Sequence, residues 1–180
     1  MATILKTYYS IDNIFNLTSL ESLYTDKNIR NDNNNNNINV NFAITESDKP
    51  LFKKYCKNVS VEIFKRLSFL SKELDTIEEE DDLDVDYKGF EFGVNDEKLG
   101  DNLIIFRFVK PEDWYSDMLN ALEDKIEECL VNGVLGKWYY KVGLNEAGKT
   151  HNSYFEKLLK EARSILLYRR KPPKKKYNFL

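Results

Sequence analysis

The chain has 180 residues, 42% of them hydrophobic, and a formal net charge of −3. That length and apolar content suit one domain, or one domain with extended arms, and exclude a wholly disordered chain. No stretch approaches the roughly 20 apolar residues of a membrane span, and Met1 to Ser10 lacks the apolar run of a signal peptide, so the expectation is a chain made in the cytoplasm with no membrane partner. The small net charge hides segregation: Glu78 to Asp86 carries seven acids in nine residues, and Arg169 to Lys176 six bases in eight.

Residues 1–28 mix short apolar groups (Ile4, Leu5, Tyr8, Tyr9, Ile11, Ile14, Phe15, Leu17) with turn-formers at Ser10-Ile-Asp-Asn and Asn16-Leu-Thr-Ser. This reads as an arm of short pieces that packs on its own domain or on a neighbour. Asn31 to Asn41 holds eight asparagines, cannot bury apolar surface and reads as a loop. Residues 1–44 are therefore expected to be an N-terminal arm and an Asn-rich loop.

A first long helix is expected from Thr45, with a Thr45–Asp48 capping pair and Pro50 in the first turn. Phe52, Tyr55, Cys56, Val59, Ile63, Leu67 and Leu70 carry its apolar stripe to about Leu74, with Lys53, Lys54, Lys57 and Lys65 off it as a solvated face. The acidic run that follows has neither the spacing nor the glycine of an EF-hand and reads as a loop. Tyr87 to Val94 and Asn102 to Val109 read as strands of a β-hairpin at about 87–109. Such a hairpin must pack on the helices or add to a partner's sheet.

Met118, Leu119, Leu122, Ile126, Leu130, Val134 and Trp138 make one helical stripe, and predict a scaffold helix over Pro111 to Val142 about 45 Å long. Gly133 and Gly136 inside it read as notches where a neighbouring backbone comes close. A third helix is expected from Ser153, with a Ser153–Glu156 capping box and an apolar face of Phe155, Leu158, Leu159, Ala162, Ile165 and Leu166, antiparallel to the scaffold helix. Cys56 and Cys129 fall on apolar stripes and read as free, buried thiols.

Gly143-Leu-Asn-Glu-Ala-Gly148-Lys149-Thr150 matches the phosphate-loop pattern GxxxxGK[ST]. That chemistry needs a buried strand before the loop and a helix after it. The preceding residues continue a helical pattern, so a polar inter-helix turn is expected, with His151 as a surface residue near a cap. No catalytic, cofactor-binding or metal-ligating set is assigned, and an enzyme is not expected. The run Pro172, Pro173, Lys174, Lys175, Lys176, followed by Tyr177, Phe179 and Leu180, favours an extended segment suited to a partner's groove or to a phosphate backbone.

These elements give a mainly α (α+β) fold: an antiparallel bundle of about three long helices with an inserted β-hairpin and extended N- and C-terminal arms. The order helix, hairpin, long helix, short turn, helix, basic tail, with the text IEECLVNGVLGKWYYKVG and then YFEKLLKEARSILLYRRKPP, resembles the head–tail connector (neck or adaptor ring) proteins of tailed bacteriophages. The versions of Bacteroides-infecting, crAss-like phages are the most similar in texture. The resemblance covers residues 45–180. It implies a virion structural protein at the head–tail junction, in a ring of about a dozen copies below the portal protein, touching other neck and tail proteins. DNA would pass through the centre without sequence-specific recognition. It also implies a connector domain over 45–171, a portal-docking tail over 172–180, and a hairpin whose Phe90, Phe92, Ile105 and Phe106 reach a neighbouring copy. The alternative is a small nucleic-acid-binding or regulatory protein that uses the basic tail.

Overall fold

Leu5, Thr7 and Tyr9 alternate along the first strand, and each lies opposite an inward residue of a strand 95 or more positions later: Leu5 pairs with Phe108, Thr7 with Phe106, Tyr9 with Ile104. The computed structural model describes residues 3–32, 42–68, 89–96, 98–111 and 113–168. The order of elements is β1 (Thr3–Ser10), α1 (Ile11–Asp32), α2 (Lys49–Leu67), β2 (Phe90–Asp96), β3 (Gly100–Lys110), α3 (Leu119–Lys141) and α4 (Asn145–Leu166). Among the described residues the fold is thus mainly helical, with four α-helices and a three-stranded antiparallel sheet in the order β1-β3-β2.

Two expectations are corrected here. The bundle has four helices, not about three, and the N-terminal stretch belongs to the core. Its first eight described residues complete the sheet, and Ile11, Ile14 and Phe15 are buried in the common core with Phe52 and Leu135. Helix α1 runs as one 22-residue piece where short fragments were expected. Ser10 Oγ accepts the Asn13 N–H at 3.3 Å, and Asp12 sits in the first turn near the helix's positive end. The strands expected at 87–109 are the β2–β3 part of this sheet, with β3 central. Val94 opposes Leu103 and Asp96 opposes Gly100 across irregular register. Tyr87, Lys88 and Glu97 lie outside the described residues.

One face of the sheet packs on the helices through a ladder of rings. Phe64 of α2 stacks on Phe90 and Phe108 at 6.4 and 6.3 Å, and Phe106 lies 5.5 Å from Phe90 and 5.7 Å from Phe108. Gly89 is required beneath this ladder, because a Cβ there would sit 2.3 Å from Phe64 Cζ. On the opposite face, Arg107 pairs with Glu91 at 2.6 Å, a cross-strand ion pair beside Ile105.

The pair α3–α4 forms the largest helix contact and is antiparallel. Gly148 faces Tyr140, Gly136 faces Asn152, Gly133 faces Phe155, and Lys125 reaches Glu161. The link is three residues long, with Gly143 at φ +84° turning the chain. Both boundaries differ from expectation. Among the described residues from Pro111 to Met118 there is no α-helical scaffold, only a 3-10 turn at Ser116–Met118: the Trp114 N–H bonds the Pro111 carbonyl at 3.0 Å, and Trp114 Nε1 donates to the Ile165 carbonyl of α4 at 3.0 Å. That anchor pulls the chain aside, so α3 begins at Leu119 and is about 35 Å long. Helix α4 begins at Asn145, two turns before the expected start, and Ser153 is inside it instead of capping it.

Helix α2 starts at Lys49, preceded by a short 3-10 turn, where the Thr45 N–H donates to Asp48 Oδ2 at 3.0 Å as the capping pair requires. It ends at Leu67 with Ser68 as its C-cap, short of the expected Leu74. Residues 69–74, the Asn-rich tract from Asn33, the acidic run and the tail from Arg169 lie outside the described residues.

Candidate functional site

Helix α1 is built inside out beyond its first turns. Thr18, Ser22 and Asp26 recur at steps of four and are all buried, while Leu17, Leu20, Leu23 and Tyr24 face solvent, Leu20 at 54% and Tyr24 at 62% exposure. At 100° per residue the four outward side chains fall within one arc, opposite the polar row. The polar row has a structural task. Ser22 Oγ accepts the Ile44 N–H at 2.9 Å, and Asp26 Oδ1 accepts the Phe42 N–H at 3.2 Å. Trp138 Nε1 donates to the Phe42 carbonyl at 2.7 Å. The segment 42–44 has no strand partner, so these groups satisfy its buried backbone. Its Ala43 and Ile44 are thereby buried, and Ile44 joins Leu20 and Leu23 along a shallow groove beside α1.

That arrangement leaves an apolar stripe without a covering element among the described residues. Exposed single apolar side chains are ordinary, but a contiguous stripe on a helix whose buried row is polar is the pattern of a contact surface. Sequence reading missed it because the outward leucines and the inward Ile11 and Ile14 do not fall on one stripe.

The phosphate-loop match does not form a phosphate site. Its preceding element is helix α3, and Gly148 to Thr150 lie inside α4. Lys149 Nζ is engaged by Glu146 at 2.8 Å, and Thr150 Oγ1 donates to the Glu146 carbonyl at 3.0 Å. The expected polar turn is thus the first two turns of a helix. Gly148 permits the Tyr140 ring to lie on its backbone, since a Cβ there would meet the ring at 3.1 Å.

His151 is corrected likewise: it is a half-buried residue between helices and not a surface turn residue. Its Nδ1 lies 2.9 Å from Asn132 Oδ1, and Asn132 Nδ2 donates to the Glu128 carbonyl. Asn132 Oδ1 is therefore the acceptor and Nδ1 carries the proton. Tyr139 and Tyr154 flank the ring at 5.2 and 6.4 Å. Burial lowers the pKa from the ordinary 6.5, with the Glu21 charge opposing more weakly. The unfolded chain then takes up the proton first as pH falls. The contribution of neutral His151 is complete above pH 6.5 and is lost as pH falls from there through the lower folded value. Thermal melts between about pH 7 and 5 should show a falling Tm, and His151→Gln should flatten that part of the profile.

Cys56 and Cys129 are free and fully buried, as expected, and burial pushes each thiol up to about 12. Neither is a nucleophile at neutral pH. Among the described residues no group of three or more His, Cys, Asp or Glu side chains is placed to hold a metal ion, and no helix is long and apolar enough to cross a membrane.

The residues expected to meet a neighbour are split by the sheet. Phe90, Phe92 and Phe106 point to the chain's own core, Phe106 completely buried, and Ile105 lies on the other face at 5% exposure. They do not make one outward surface, because the helices use the aromatic face of β2 and β3 as their own packing partner. The tail residues Pro172 to Leu180 lie outside the described residues. No family model, curated protein or solved structure matches this chain.

Proposed function

We propose that this chain is a structural subunit of a bacteriophage head–tail connector ring, lying between portal and tail and assembled from copies of itself around the DNA channel. The observation that carries this reading is the outward apolar stripe of α1, Leu17, Leu20, Leu23 and Tyr24, on a helix whose inward row is polar. A head-to-tail ring needs such a surface on each copy, met by a different surface of the next copy. The rigid α3–α4 pair supports the reading, since it holds α1 in place through Trp138 and segment 42–44. The stripe alone falls well short of the roughly 800 Å² per partner of a stable interface. Assembly therefore awaits the portal, whose surface aligns many weak contacts at once. In this reading the tail 172–180 docks on the portal and the virion is the site of action.

Co-expression with the portal protein encoded beside it, followed by electron microscopy of the co-purified particle, tests the proposal. A ring stacked on the portal is the expected result. A folded chain that leaves the portal bare would reject it.

A further inference from the structure

Most described bases have a partner. Lys49 meets Asp12, Arg66 meets Glu62 and Glu156, Lys125 meets Glu128 and Glu161, and Lys137 meets Glu62. Lys110 and Lys141 lie over the rings of Trp114 and Trp138. Lys54, Lys57 and Lys65 have no carboxylate or ring partner among the described residues and sit together on α2, beside Lys53, whose charge acts on Asp12. Lys6, Lys27, Lys98 and Lys160, also without an ion pair among the described residues, are scattered over β1, α1, the β2–β3 turn and α4.

The core face of α2 is Phe52, Cys56, Val59, Ile63 and Leu67. At 100° per residue, Lys54, Asn58, Val61 and Lys65 lie diametrically opposite, with Lys57 and Lys53 along one flank. Lys54, Lys57 and Lys65 are exposed. From Lys54 to Lys65 the ridge is about 16 Å long. The one acid of the helix, Glu62, borders this face on its other flank and is engaged by Arg66 and Lys137. Like charges three and four apart on a helix repel, as Lys54 and Lys57, and Lys53 and Lys57, must do. A chain with more acids than bases nevertheless gathers these lysines on one face, whose one bordering acid is already paired.

The chemistry of the face selects the partner. Lysine ammoniums are hydrated point charges on flexible stems, suited to phosphates without fixed geometry. The face has no aromatic or arginine anchor of the kind that dominates protein–protein contacts, and Asn58 is its only side chain with the amide fork that reads adenine. We propose that the outward face of α2 is a sequence-independent contact for the phosphate backbone of nucleic acid. It extends the ring reading by naming a surface for the DNA, but it is measured on the isolated chain, so the two can fail separately.

The test is fluorescence anisotropy of the full chain with mixed-sequence duplex DNA across a salt series. Two variants are compared with wild type: K53Q/K54Q/K57Q/K65Q and K53R/K54R/K57R/K65R. Any contribution of the C-terminal bases is common to all three. Removing four phosphate contacts should make the slope of log affinity against log salt shallower by roughly 3 to 4. Affinity at low salt should fall on the order of 100-fold for the Gln variant, equally on unrelated sequences, while the Arg variant binds like wild type. Circular dichroism melts confirm that the Gln variant is folded. An unchanged slope for the folded Gln variant would overturn the proposal. So would a loss confined to one sequence, or unchanged DNA binding with loss of binding to polyglutamate, which would give the face to an acidic peptide.

Discussion

Trp138→Ala should lower stability by about 3–5 kcal/mol, a drop in Tm on the order of 10 °C. The indole is 5% exposed and packs in the common core, so truncation removes packing and leaves a cavity. It also removes the donor to the Phe42 carbonyl, 2.7 Å away, leaving an acceptor of segment 42–44 unpaired. The same segment is held from the other side by Ser22 and Asp26 of α1. Hydrogen exchange should therefore show early loss of protection at Ile44 and in α1, not only a lower global Tm. A uniform loss across all elements would indicate that Trp138 is packing alone and does not tie α1 to α3.

Gly133→Leu should be comparably damaging, by about 3 kcal/mol or more. A Cβ at Gly133 would lie 2.6 Å from Val59 Cγ1 and 3.1 Å from two atoms of the Phe155 ring. Both neighbours are buried, Val59 completely and Phe155 to 4% exposure, so neither can swing away. At an exposed helical position, glycine to alanine stabilises by about 1 kcal/mol. Here even Gly133→Ala should be neutral or destabilising, and Gly133→Ala with Val59→Ala should be less damaged than the sum of the single changes. Urea melts of the four proteins measure this coupling. Additive effects would mean that the close approach of α2 to α3 at Gly133 does not constrain the helices.

The Gly133 notch was legible in the sequence because a glycine in a strong helical stripe lowers helix propensity and so calls for a packing reason. For the same reason the stripes of α2 and α3, the apolar run of β3 and the burial of both cysteines could be read directly: burial and periodicity agree there. The misreadings have a common physical origin, in that side-chain polarity and position disagree. In α1 the inward row is Thr18, Ser22 and Asp26, of which Ser22 and Asp26 satisfy the backbone of segment 42–44, and the leucines face out, so no period of 3.6 marks a core face. In β1 the partner is β3, about 100 residues away in sequence, and nothing local announces that pairing. At the start of α4, Gly148 and its polar neighbours look like a turn, yet the helix forms because the glycine accommodates the Tyr140 ring. Before α3, the stripe extends formally to Met118, but the hydrogen bond from Trp114 to α4 diverts the backbone.

The surfaces show the same division. The lysines of α2 were visible as residues off the stripe, but only the structure shows that Lys54, Lys57 and Lys65 are exposed without an ion pair among the described residues while Lys49 and Arg66 of the same helix are paired. The α1 stripe was invisible, because an exposed apolar row can be recognised only once the buried row is known. It is also the feature on which the proposed assembly depends.

The most direct test is therefore assembly on the portal by Leu17→Lys/Leu20→Lys/Leu23→Lys, followed by electron microscopy beside the wild-type chain. These side chains are exposed at 37%, 54% and 42%, so the variant should fold and melt within a few degrees of wild type. The wild-type chain should form a closed ring on the portal, while the variant, although folded, should leave the portal bare or singly occupied. A complete ring built by the variant would contradict the account.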